Sequence, residues 1–174
     1  AHALGVRAQV TFPILEFPSA WGSDANDYIE KGLKLIDDYK HNDQIRIGFG
    51  PHAPYTVSNA SFEKIMMLAE EVDAPVQLHL HETAEEISTS LKEFGESPIQ
   101  RLKSLGVLTP RSQAVHLTQC SDEERSILAQ SGASIIPCPT SHLTLASGYC
   151  DISALNQADI TVGLGTDSAA SNNT

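Results

Sequence analysis

Short runs of apolar and β-branched residues recur along the chain, each closing on a polar or glycine-rich turn. They span residues 5–15 (GVRAQVTFPIL), 45–49 (IRIGF), 75–80 (PVQLHL), 113–117 (QAVHL), 133–137 (ASIIP) and 160–164 (ITVGL). Near-continuous apolar runs of this length predict strands buried on both faces of a parallel sheet. Between them the period lengthens. Residues 27–39 place Tyr28, Ile29, Leu33, Ile36 and Tyr39 near helical spacing, and residues 61–72 do so with Phe62, Ile65, Met66, Ala69 and Val72. Thr83 with Glu86, and Ser121 with Glu124, have the spacing of a capping box that opens a helix. Residues 84–105 predict two helical pieces broken near Gly95 and Pro98.

Strand and helix thus alternate with no linker, charge block or low-complexity stretch, which predicts an α/β fold with right-handed crossovers. An open doubly wound sheet and a (β/α)8 TIM barrel both satisfy that pattern. The polar residues separate them. His52 follows the second run, His79 and His81 end the third, and His116 ends the fourth. Ser141 and His142 follow the fifth, and Asp167 follows the sixth. In a barrel these strand ends converge on one mouth, where active sites lie; an open sheet spreads them along an edge. One histidine in an apolar strand is ordinarily a hydrogen-bonded core residue. Five successive coincidences favour a site, and imidazole with carboxylate is a donor set that suits Zn²⁺ or a similar divalent ion.

Composition narrows the function classes. Eleven Lys and Arg stand against 22 Asp and Glu, a formal net charge of −11. A chain this acidic, without a basic cluster, is not built to bind a nucleic-acid backbone. No apolar run reaches the roughly 18–20 residues of a membrane span, and residues 1–10 lack the apolar stretch of a signal peptide. Three cysteines, Cys120, Cys138 and Cys150, include no C-x-x-C pair, which predicts free thiols and a cytoplasmic setting. Several motifs are excluded by spelling. His81-Glu82-Thr83-Ala84-Glu85 lacks the second histidine of the helical zinc-protease motif. Pro137-Cys138-Pro139-Thr140-Ser141 lacks the second cysteine of the cytidine-deaminase type. No G-x-S-x-G elbow is present, and Gly163-Leu164-Gly165 does not continue into a dinucleotide fingerprint.

Taken in order, GFGPHAPYTVS (48–58), VQLHLHETAEE (76–86), AVHLT (114–118), CPTSHLTLASG (138–148) and VGLGTDSAASNN (162–173) resemble the amidohydrolase superfamily. The resemblance is nearest its 5-methylthioadenosine/S-adenosylhomocysteine deaminases and the related chlorohydrolase-like aminohydrolases. It covers nearly the whole chain from Gly5 onward. HLHET followed by GLGTDSAASNN is its most specific part, and AVHLT its weakest.

The resemblance implies a zinc-dependent hydrolase that releases ammonia from an adenosine-type nucleoside. It makes His79 a metal ligand from the fifth barrel strand. Asp167, from the eighth, is implied as metal ligand and as base for the attacking water. Glu82 is implied as the group that touches and protonates the purine ring, His116 as the residue that orients the water or the departing amine, and His52 as a nucleoside contact. His81 lies where relatives vary and is assigned to packing or to supporting the site from behind its ligands. His142 and Thr144 stand where asparagine and lysine are usual in relatives. Relatives that accept S-adenosylhomocysteine are expected to pair its carboxylate with Arg. Residues 11–28 contain no Arg or Lys, which favours methylthioadenosine, with Phe12, Phe17 and Trp21 either touching an apolar 5′ group or simply packing the loop.

Guanine deaminase and a triazine chlorohydrolase share the expected metal site and are the nearest alternatives; a non-catalytic barrel remnant is the alternative of a different class. A cofactor-dependent oxidoreductase would need a phosphate-cradling glycine loop, which the sequence lacks. The partner expected is a small nucleoside, without nucleic acid or membrane, and self-association into a homo-oligomer is compatible with everything above. A complete barrel takes about 200 residues or more. The six predicted strands match the third to eighth of the family, so residues 1–174 are expected to be the C-terminal portion of one barrel. Strands 1 and 2 with an H-x-H ligand pair, the final helix and the flanking small β domain would then lie outside the chain.

Overall fold

A computed structural model describes residues 2–172. After a short 3-10 turn at His2–Leu4, strands β1 (Ala8–Ile14), β2 (Ile45–Pro51), β3 (Val76–Leu80), β4 (Ser112–His116) and β5 (Ser134–Ile136) alternate with helices. These are α1 (Ala25–Tyr39), α2 (Asn59–Glu71), α3 (Ala84–Phe94), α4 (Pro98–Ser104), α5 (Asp122–Ser131), α6 (Pro139–Leu145) and α7 (Ile152–Gln157). The strands are parallel and pair in chain order, the arrangement of an α/β barrel wall. The chain divides into two units, residues 1–77 and 78–174, with the cut falling inside β3.

In the first unit β1 and β2 pair from Ala8↔Ile45 to Ile14↔Pro51, and β2 meets β3 at Phe49↔Val76. Asp24 caps α1 by accepting from the N–H groups of Asn26 and Asp27. Tyr28 and Ile29 of α1, Phe62 and Ile65 of α2, and Phe12, Ile14 and Phe49 of the strands are buried as the unit's core. Gly32 lets α1 approach the sheet: a β-carbon there would stand 2.2 Å from the Phe12 ring. Phe12 stacks at a tilt on Phe49 (4.9 Å) and on Trp21 (6.1 Å). Phe12 and Trp21 therefore pack this unit, while Phe17 is half exposed.

In the second unit β4 and β5 pair from Gln113↔Ser134 to Val115↔Ile136. The predicted break within 84–105 falls at Gly95, left-handed with φ 76°, and Ser97 then opens α4 with a capping box to Gln100. Ser121 and Glu124 form the expected box at α5. The Thr83–Glu86 pair does only half of what its spacing predicts. Thr83 caps the Glu86 N–H, but the Glu86 carboxylate accepts from the amides of His81 (3.1 Å) and Glu82 (2.9 Å) further back. The sixth apolar run differs too. Residues 160–164 meet β5 through one bridge, Ile135↔Val162, with flanking bonds from Ile135 N–H to Thr161 and from Gly163 N–H to Ile135, and do not extend into a full strand. Leu78, Leu80, Ile99, Leu102, Leu117, Leu128 and Ile135 form this unit's core. Among the described residues no helix is long and apolar enough to cross a membrane, and Cys120, Cys138 and Cys150 are free thiols.

Candidate active site

Three of the residues that the sequence places at strand ends come together in the second unit with Glu82, which the resemblance assigns. His79 lies on β3, Glu82 on the turn after it, His116 closes β4, and Asp167 follows the segment bridged to β5. Glu82, His116 and Asp167 each bring a potential ligand atom within 4.8 Å of the others. Glu82 Oε2 stands 3.6 Å from His116 Nε2. His79 reaches the cluster by stacking on His116, the ring centroids 5.2 Å apart and 16° from parallel.

The backbone makes this convergence by turning sharply at the strand ends. His81, His116, Leu117 and Asp167 all lie in the left-handed region, with φ of 52°, 86°, 51° and 61°. Such positions cost about 1–3 kcal/mol each for residues other than glycine and cluster at functional sites. Here cross-links hold them. The N–H of Leu117 donates to the Leu80 carbonyl (3.0 Å) and that of Thr118 to the His81 carbonyl (2.9 Å). The Thr118 hydroxyl lies 2.8 Å from the Glu82 carbonyl. The Glu86 carboxylate accepts from the two amides of the His81–Glu82 turn, so Glu82 leaves β3 on a doubly tethered backbone.

Electrostatics divide the cluster into a neutral imidazole and an ionised carboxylate. Burial, reinforced by the neighbouring His79 and His142 rings and opposed by Asp167, lowers the His116 pKa to about 4. Burial alone would raise Asp167. Hydrogen bonds from the Ser141 hydroxyl to Oδ2 (2.6 Å) and from the Ser168 N–H to Oδ1 (2.7 Å) outweigh it and hold the carboxyl below its usual range. Glu86 goes the other way: burial lifts it to about 7, against the two amide hydrogen bonds. Imidazole nitrogen and ionised carboxylate oxygen are the donor types of a divalent zinc site, and His79 and Asp167 supply one of each.

His81 is fully buried and directed elsewhere. Its Nδ1 lies 2.9 Å from the Gln119 carbonyl, and its Nε2 lies 3.9 Å from Glu124, which accepts from Ser97 and Ser121. This is the packing role expected of it. His52 belongs to the first unit, where its Nδ1 lies 2.9 Å from the Thr56 hydroxyl and its ring meets Tyr55 edge-on. A cavity of about 640 Å³ in that unit opens by Arg7, Ala8, Ile45 and Arg46 at the N-terminal strand ends, the end of a barrel that serves stability rather than catalysis. Three residues of the second unit acquire roles that the sequence did not assign. Ser141 holds Asp167, Glu86 holds the Glu82 turn, and His142 contacts His116. A serine and histidine directly after a strand end were the available signal.

A family model described as the amidohydrolase family matches residues 1–174, and the chain belongs to that family. Among curated relatives it is 52% identical over 173 residues to the 5-methylthioadenosine/S-adenosylhomocysteine deaminase of Saccharophagus degradans, covering 99% of this chain and 39% of the relative. It is 54% identical over 172 residues to the protein of that name from Teredinibacter turnerae, with the same coverage. The chain thus spans about two fifths of the length of these relatives. Among solved structures it superposes on a zinc-bound adenosine deaminase from Xanthomonas campestris with a TM-score of 0.96 at 43% identity, covering 99% of this chain and 39% of that one. A triazine hydrolase matches with a TM-score of 0.90 at 24% identity over 99% of this chain and 40% of its own, a likeness of fold.

Proposed function

We propose that the protein to which this chain belongs hydrolyses the exocyclic amine of an adenosine-type nucleoside, 5′-methylthioadenosine before S-adenosylhomocysteine, and releases ammonia. The convergence of Glu82, His116 and Asp167, with His79 stacked on His116, carries this reading. Relatives named as deaminases at 52% and 54% identity support it.

The donor set fits zinc, with His79 and Asp167 as the ligands from this chain. A bound zinc ion would supply Lewis acidity, bringing the pKa of water to about 7. Two protein ligands are fewer than the three or more of catalytic zinc sites, so this reading places the others in a longer protein, of which residues 1–174 form the later strands of the barrel. Asp167, ionised and held by Ser141 and Ser168, takes one proton from the attacking water. Glu82 gives a proton to the purine ring nitrogen, which makes C6 electrophilic as the C6–O bond forms. The proton on Asp167 passes to the amine, the C6–N bond breaks, and ammonia leaves. Glu82 recovers the remaining hydroxyl proton as the C6 carbonyl forms. His116 hydrogen-bonds the oxygen during the change, and His52 contacts the nucleoside. Free cysteines support a cytoplasmic setting, and the partner is the nucleoside.

The test is to incubate the full-length protein with 5′-methylthioadenosine, following ammonia and the adenine-to-hypoxanthine absorbance change. Turnover is expected. Turnover of guanine or a chlorotriazine with none of any adenosine would overturn the substrate, and absence of any bound divalent metal would point to a non-catalytic barrel.

A further inference from the structure

Ser141 and His142 are consecutive buried residues of α6, whose Leu143 and Leu145 are exposed. Ser141 holds Asp167, as described. His142 holds something as well: its Nε2 lies 3.2 Å from Nδ1 of His116, with the rings 5.4 Å apart and tilted by 53°. A contact between two neutral imidazole nitrogens contains one proton, because a neutral ring has one N–H and one bare nitrogen. The tautomers of the two rings are therefore linked. With the proton on His142 Nε2, His116 has a bare Nδ1 and carries its own proton on Nε2. With the proton on His116 Nδ1, the bare Nε2 faces Glu82 Oε2 at 3.6 Å. Asp167, held ionised by Ser141 and Ser168, belongs to the same cluster, and a lone pair aimed at a carboxylate is repelled where an N–H is attracted.

We propose that His142 is a positioning residue that donates its Nε2–H to His116 Nδ1, fixing His116 as the Nε2–H tautomer. His116 then presents a hydrogen-bond donor, not a metal-ligating lone pair, between Glu82 and Asp167. Its catalytic consequence rests on the deaminase reading: a fixed donor at that corner stabilises the oxygen that gains charge at C6. The tautomer itself does not depend on that reading. The partner of one imidazole nitrogen decides what the other can do, and here the partner is another histidine from the next strand's helix.

Long-range ¹H–¹⁵N spectra of full-length protein labelled at histidine read the tautomer directly, with zinc bound and after chelation. His116 is expected to carry its proton on Nε2 in both states. His142→Asn can still donate from its amide, so it should keep the tautomer and a kcat within a few-fold of wild type. His142→Asp can only accept. It should move the proton to His116 Nδ1 and lower kcat at least tenfold with little change in KM. A wild-type His116 protonated on Nδ1, zinc coordination at its Nε2, or an unmoved tautomer in His142→Asp overturns the proposal. The wild-type spectrum decides even where a variant fails to fold. An Nε2–H His116 in a protein that deaminates no nucleoside would reject the proposed function and leave this inference standing.

Discussion

Ser141 donates its hydroxyl hydrogen to Oδ2 of Asp167 across 2.6 Å, so the residue expected to serve as ligand and base is oriented by α6 as well as by the Ser168 N–H of its own segment. Ser141 is buried, and no solvent replaces the bond readily when it is removed. Residues that orient a metal-binding carboxylate typically contribute 10–100-fold to metal affinity or activity. Ser141→Ala is expected to weaken zinc binding by about 10–100-fold, and Ser141→Thr to retain most of it. Competition with a chromogenic chelator measures this; unchanged affinity in the alanine variant would show that Ser141 does not orient the ligand.

Glu82 tests the proton-transfer step separately. Its carboxylate lies beside His116 Nε2 on a turn fixed by Glu86 and Thr118. Glu82→Gln keeps the shape and removes the transferable proton. General acid–base groups contribute about 10²–10⁴-fold, so kcat should drop by that range while KM moves little. Steady-state kinetics on methylthioadenosine check it; a loss confined to KM would make Glu82 a binding residue only.

Much of this arrangement is legible in the sequence because strands and their ends follow from the apolar runs. His79 and His81 are two residues apart and would share a face of a continuing strand, but β3 ends at Leu80 and the left-handed turn at His81 sends its ring to Gln119 and Glu124 instead. The sixth run falls short of a strand among the described residues because its bridge to β5 is confined to Ile135, through the bonds to Thr161 and from Gly163. The capping spacing of Thr83 and Glu86 could not show where the carboxylate goes, since that depends on the left-handed turn at His81. Nor could periodicity reveal which face of α6 is buried: seven residues make two turns, too few for a pattern, and Cys138 offers no side-chain cap to mark its start.

Gly32 supplies a stability prediction in the first unit. A β-carbon there would lie 2.2 Å from two atoms of the Phe12 ring, and Phe12 is itself wedged against Phe49 and Trp21. Gly32→Ala gains helix propensity of roughly 1 kcal/mol, but overpacking of this kind costs about 1–3 kcal/mol. Net destabilisation is expected, seen as a lower midpoint in urea; Phe12→Leu in the same background should recover part of it. A more stable Gly32→Ala protein would mean that the α1–β1 contact yields without cost.

Glu86 gives a pH dependence with a defined sign. Its folded pKa is about 7 against an ordinary value of 4.5, chiefly through burial. Folded protein therefore binds this proton more tightly than unfolded chain does, and stability falls as pH rises through the window from 4.5 to 7. Below 4.5 both states are protonated and the group adds no slope; above 7 the full cost is present. The shift from 4.5 to about 7 corresponds to at most roughly 3.5 kcal/mol, at about 1.4 kcal/mol per unit. Glu86→Gln retains one acceptor for the His81 and Glu82 amides and cannot ionise. Its stability relative to wild type should therefore increase from pH 4.5 to pH 7.5, whatever constant offset the lost hydrogen bond introduces. Urea unfolding of both proteins across that range measures the difference, and parallel stability profiles would show that Glu86 ionises as an ordinary carboxylate in the folded chain.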